Sequence, residues 1–134
     1  MYAWGTVNPS GEPDSHRGVL LRERDIEDIA ASGALIGKPV KIEHMGDNVG
    51  EVVSAWRHGN RLDCVLRIDR SNIEGVFAQS FVKSGLCGEL SLGYNISMRH
   101  SADGGVEGGL KEVLEVSLVK KGARHECFIR GFTQ

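Results

Sequence analysis

Cysteine is scarce and unpaired in this sequence of 134 residues: Cys64, Cys87 and Cys127 are odd in number and form no C-x-x-C pair. That excludes a disulfide framework and a zinc ribbon, and it suits a reducing compartment. Long apolar runs are missing too. None approaches the roughly 18 residues that a membrane-spanning helix needs, and the N-terminus lacks the basic-then-apolar order of a secretory leader. Charge of one sign is also lacking. A net charge of −2 gives no electrostatic reason to expect nucleic acid or an anionic membrane as a partner. His44, His58, Cys64 and Cys87 have no metal-ligand spacing, so no metal and no other cofactor is expected. There is no internal repeat and no interdomain linker, and residues 1–134 read as a single domain.

What the chain does have is glycine. Its 18 glycines are about twice the usual share, which favours turns and strands over a helical bundle. Met1 to Val7 is strand-like, the stretch from Asn8 to Ser15 is loop chemistry, and Gly18 to Leu21 reads as a second short strand. Ile26, Ile29 and Ala30 recur at helical spacing, and Gly33 supplies a stop, so a short helix is predicted from Arg24 to Ser32. Pro39 to His44 alternates. Val49 to Trp56 and Leu62 to Ile68 flank Gly59-Asn60, a hairpin signal. Ser71-x-x-Glu74 is a capping box, and Ile73, Val76, Phe77, Phe81 and Val82 follow it as an apolar stripe up to Gly85.

Gly88 to Met98 is the cleanest strand, with Leu90, Leu92, Tyr94, Ile96 and Met98 on one face and Glu89, Ser91, Gly93, Asn95 and Ser97 on the other. A glycine-rich loop from Ala102 to Gly109 leads to a strand from Leu110 to Lys121. There Leu114, Val116 and Leu118 share one face, opposite Val113, Glu115, Ser117 and Val119. Phe128 to Phe132 reads as a last short strand or a helix edge. The sum is a mainly-β α+β fold, about seven strands and two helices, expected to close as a small antiparallel β-barrel.

Acyl-transfer chemistry needs a nucleophile, a base, a group to orient the base, and oxyanion donors. Alternation alone singles out three residues. Ser91 sits mid-strand between Leu90 and Leu92; His44 ends a strand, where its ring can project at a sheet rim; Glu115 is a carboxylate within an apolar strand. A buried carboxylate is costly unless paired, and histidine is a natural partner. Each also has an ordinary reading: Ser91 on a solvated sheet face, His44 as a capped loop residue, Glu115 as a surface charge. His16, His58, His100 and His125 lie in loops or beside charges and make weaker cases. The hydrolase elbow G-x-S-x-G fails, because the stretch here is Glu89-Leu90-Ser91-Leu92-Gly93.

Leu90-Ser91-Leu92-Gly93-Tyr94 resembles the nucleophile segment L-S-I-G-Y/F of the prohead proteases of tailed phages. The run from Glu112 to Val119 is similar to their E-L-x-E-V-S-L-V strand. Val40 to His44, followed by Val49-Gly50-Glu51-Val52, resembles their strand-histidine segment and I-G-x-V. The three motifs keep the family's order of histidine, serine and acid. The flanks lean toward the herpesvirus assemblins, which share that fold: Gly11-Glu12-Pro13-Asp14-Ser15 before a strand, then Ile42-Glu43-His44, is similar to the way an assemblin opens. Assemblins carry a second histidine where this chain has Glu115. Where they place Gly-Arg-Arg, this chain has Gly122-Ala123-Arg124.

The resemblance implies a serine endopeptidase of viral capsid maturation, with Ser91 as nucleophile, His44 as base and Glu115 orienting it. The amide of Ala123 and the guanidinium of Arg124 would serve the oxyanion. Glu43, next to His44 on a strand, is expected to point to the opposite face and take no part. The implied substrate is a scaffolding or capsid protein cleaved inside an assembling procapsid, hence within an infected host cell. The implied partner is a second copy of the chain, with the helix from Ile73 to Gly85 as its interface or as a cover for the barrel end. The alternative is a non-catalytic β-barrel used in shell assembly.

Overall fold

Strand, helix and strand again alternate along the chain in the computed structural model, which describes residues 1–9, 21–100, 106–122 and 126–134. The elements are β1 (Tyr2–Pro9), α1 (Glu23–Ser32), β2 (Pro39–Ile42), β3 (Met45–His58), β4 (Arg61–Ile68), α2 (Ile73–Ser84), β5 (Glu89–His100), β6 (Val106–Val119) and β7 (Ile129–Thr133). The mainly-β α+β reading therefore holds. The short strand expected over Gly18 to Leu21 and the loop before it lie largely outside the described residues. Val106 to Gly109, read as loop, begin β6 instead.

The strands form one sheet in the order β5-β6-β2-β3-β4-β1-β7. It curls into an open half-barrel, not the closed antiparallel barrel that the strand count suggested. Two features explain the difference. First, the end strands β5 and β7 meet at a single bridge, Glu89 with Phe128, supported by bonds from Leu90 N–H to the Cys127 carbonyl (2.7 Å) and from Ile129 N–H to the Gly88 carbonyl (2.8 Å). Beyond that point β7 turns away and pairs with β1 from Gly5 to Tyr2. Second, β2 lies parallel to β6, with Val40, Lys41 and Ile42 opposite Val116, Ser117 and Leu118.

The concave face holds the core. Leu62, Cys64, Leu66 and Ile68 line it from β4, Leu90 and Leu118 from β5 and β6, and Ile26 and Ile29 from α1, all but excluded from water. α1 starts where the Asp25 carboxylate accepts the Arg22 N–H (2.9 Å), and it stops at Gly33 in the left-handed conformation, φ 68°. Burial and the neighbouring Asp63 push the Cys64 thiol up to about 12, and burial also raises Cys87, so both stay protonated and are poor nucleophiles.

α2 corrects two expectations. Its N-cap is Asn72, not Ser71: the Asn72 side chain accepts the Gly75 N–H at 2.7 Å. And its apolar stripe is split: Ile73 and Phe77 face outward, Phe81 packs partly against the core and Val82 is buried. The buried face is Gly75, Ala78, Gln79 and Val82. Small residues let the helix come so close that a Cβ on Gly75 would sit 2.2 Å from the Asp69 carbonyl oxygen. Gln79 donates to the Ile68 carbonyl (2.8 Å) and so stays satisfied inside. That leaves Ile73 and Phe77 exposed, with Phe77 stacked on Phe81 at 6.1 Å between ring centres.

β6 departs from simple alternation for a related local reason. Gly93 pairs with Glu115 and the next β5 residue, Tyr94, pairs with Val113, so Leu114 is an extra residue in a bulge. Leu114 is thrown outward to 40 % exposure, instead of joining Val116 and Leu118 in the core. From Glu115 to Val119 both faces of β6 are covered.

Candidate active site

His44 owes its place to a tight turn. Ile42 pairs with Met45 across the β2–β3 hairpin, leaving Glu43 and His44 as a two-residue loop. Both have positive φ, 52° and 60°, the signature of the turn whose twist suits a hairpin and which glycine and asparagine usually fill. Glutamate and histidine pay no glycine-like discount there, and each left-handed residue costs roughly 1–2 kcal/mol. Such strain is often kept where a side chain must be aimed. Glu43 thus leaves the site because of the turn, not because of strand alternation; its carboxylate accepts the Lys120 N–H at 2.8 Å.

The ring of His44 reaches across β6 toward β5. Its Nε2 lies 3.0 Å from Ser91 Oγ, and its Nδ1 is hydrogen-bonded to Glu115 Oε1. Ser91 is 8 % exposed and faces the same side of the sheet as its cross-strand partner Ser117 and as Glu115, two residues earlier on β6. The three sequence candidates therefore form one continuous chain of contacts, from hydroxyl to imidazole to carboxylate. With Nδ1–H donating to Glu115, Nε2 carries a lone pair that can accept the hydrogen bond of the Ser91 hydroxyl.

Two further residues hold the carboxylate. Ser117, fully buried, donates its hydroxyl to Glu115 Oε2 (2.7 Å), and its Oγ accepts the His44 backbone N–H (3.0 Å). It ties base and acid to one atom. Sequence reasoning passed it over as a face-mate of Glu115, although the two-residue spacing was the signal. Gly93 supplies space. A Cβ there would lie 2.1 Å from Glu115 Oε1 and 2.6 Å from its carboxyl carbon. The glycine after L-S-L thus has a physical reason: the carboxylate rests over its bare backbone. Gly93→Ala is expected to displace Glu115 and lower kcat by about two orders of magnitude, with the circular dichroism spectrum unchanged; steady-state peptide hydrolysis checks it.

Ala123 and Arg124, the expected oxyanion donors, lie outside the described residues. The chain is anchored just before them, where the Gly122 N–H donates to Glu89 Oε1 at 3.0 Å. His58, set aside in the sequence, pairs with Asp63 at 3.2 Å at the far hairpin and shares nothing with this site.

No protein-family model and no curated protein matches the sequence. Solved structures do. The chain superposes on the protease of Kaposi's sarcoma herpesvirus bound to a hexapeptide phosphonate inhibitor with a TM-score of 0.60 and 17% identity, covering 98% of this chain and 65% of that one. The chain has the fold of a herpesvirus protease. The same viral protease with an allosteric inhibitor gives a TM-score of 0.57, again at 17% identity, over 96% of this chain and 75% of that one. With a dimer disruptor it gives 0.56 over 96% and 74%. This chain is thus shorter than each of those herpesvirus-fold chains, spanning about two thirds of the first.

Proposed function

We propose that this chain is a serine endopeptidase in which Ser91 attacks, His44 moves the proton and Glu115 holds the imidazole. The observation that carries the reading is the unbroken contact series Ser91 Oγ–His44 Nε2 and His44 Nδ1–Glu115, closed by Ser117. Ser91 Oγ adds to the scissile carbonyl carbon as its proton passes to Nε2. The imidazolium is stabilised by Glu115 and then protonates the leaving amine, which departs and leaves an ester on Ser91. Water, deprotonated by the same nitrogen, attacks the ester and releases the acid. The Ala123 amide and the Arg124 side chain are the proposed donors to the oxyanion.

The fold supports a viral role, and the motif resemblance supports a scaffolding or capsid protein as substrate, cut within an assembling shell. β5 carries Ser91 at one end of the sheet order, and an extended substrate segment can add to such an edge. A dimer disruptor binds the similar herpesvirus enzyme, and dimerisation of this chain is part of the proposal.

A fluorophosphonate probe tests the nucleophile directly. The purified protein is expected to gain one phosphonyl adduct, mapped to Ser91 by tandem mass spectrometry and absent from Ser91→Ala. An unlabelled protein at concentrations that force dimerisation would replace this reading with a non-catalytic shell-assembly module.

A further inference from the structure

Against the hairpin that carries His44 lies a cleft of about 370 Å3 lined by Ile42, Glu43, Met45, Glu74, Phe77 and Phe81. Its walls come from the hairpin that carries His44 and from the outward face of α2. They are fastened together: the Glu74 carboxylate accepts the Asp47 N–H at 2.8 Å, and the Asn72 side chain donates to the Asn48 carbonyl at 3.2 Å. Met45 is 69% exposed and Phe77 50%, and neither belongs to the buried core. An exposed phenylalanine stacked on the half-buried Phe81, with an exposed methionine facing the same cleft, asks for an apolar occupant.

We propose that this cleft receives an apolar side chain of the substrate, within the first three residues on the leaving-amine side of the cut bond. The inference deepens the endopeptidase reading and rests on it. Chemistry fixes the direction. The base that takes the serine proton must return it to the departing amine, so the leaving segment lies on the histidine side of the nucleophile. Topology supplies the path. Across the sheet the order runs from β5 with Ser91, through β6 with Glu115, to the β2–β3 turn with His44, and α2 packs beyond on β3. A peptide crossing from Ser91 past His44 enters the cleft next. Ile42 and Met45, the pair that closes the turn carrying His44, both line it. The two lining carboxylates disfavour an acidic residue there.

The test is cleavage of a synthetic peptide library in which every residue type occurs on both sides of each bond, with products sequenced by mass spectrometry. Apolar residues are expected to be enriched about tenfold in the first three positions after the cut. Phe77→Ser should erase most of that enrichment, while Ile73→Ser, on the same exposed helix face but outside the cleft, should keep it. Absence of enrichment, or of any cleavage by a protein that the fluorophosphonate still labels at Ser91, overturns the proposal, as does enrichment that survives Phe77→Ser. So does a Phe77→Ser protein that turns monomeric and loses fluorophosphonate labelling, since the cleft would then belong to a second copy of the chain. Failure of the wild type to take the probe at all defeats the endopeptidase reading itself, and the two failures are told apart by that label.

Discussion

Ser91→Ala is expected to lower kcat for peptide hydrolysis by about four to six orders of magnitude with the fold intact. The substitution removes one oxygen from a residue already 8 % exposed and leaves Leu90 and Leu92 in place. Nothing in the core loses a partner, so thermal unfolding should shift little. His44→Ala should fall as far, because an imidazole without a nucleophile and a nucleophile without a base are equally idle. The double variant should therefore be no slower than either single one. Steady-state hydrolysis of any peptide the wild type cuts would check all three. Substantial activity in Ser91→Ala would sink the assignment.

Glu115→Gln is expected to cost less, about two to four orders of magnitude in kcat. Two donors converge on this carboxylate, the His44 Nδ1–H on Oε1 and the Ser117 hydroxyl on Oε2. A glutamine amide has one acceptor oxygen and one NH2, so it can satisfy only one of them. If the oxygen faces Ser117, the amide N–H faces Nδ1 and favours the tautomer with its proton on Nε2. That nitrogen then cannot take the Ser91 proton. The fluorophosphonate labelling rate should fall with kcat, since both report the same proton transfer. A variant that loses kcat but labels at the wild-type rate would show that Glu115 acts elsewhere.

Much of this site was legible in the sequence, because strand alternation is a strong constraint. It set Ser91 opposite the apolar face of its strand and Glu115 within an otherwise apolar strand, where a carboxylate needs a partner, and it ended a strand at His44; the motif order then joined the three. The misses share one cause: each depends on a local irregularity or on the third dimension. The bulge at Leu114 breaks the two-residue period within a strand whose composition looks regular. The turn at Glu43-His44 uses residues that are poor predictors of positive φ. Phe77 belongs to an apolar stripe, but Gly75 and Ala78 pack closer, so the small residues win the inward face. Closure of the sheet was set by where β7 turns, and no strand pattern encodes that.

The contacts that join His44 to Ser91 and Glu115 bridge 47 and 71 positions of chain. The hairpins β3–β4 and β5–β6 can each form from nearby segments, but His44 meets its partners only when β2 docks alongside β6. Pairings that close such long loops are entropically expensive and tend to be slow. A refolding molecule would pass through species with much of its sheet in place and an unactivated serine. The contacts of the site would then arrive late, as β2 docks on β6, and on the proposed reading a newly made chain would be inactive until that step.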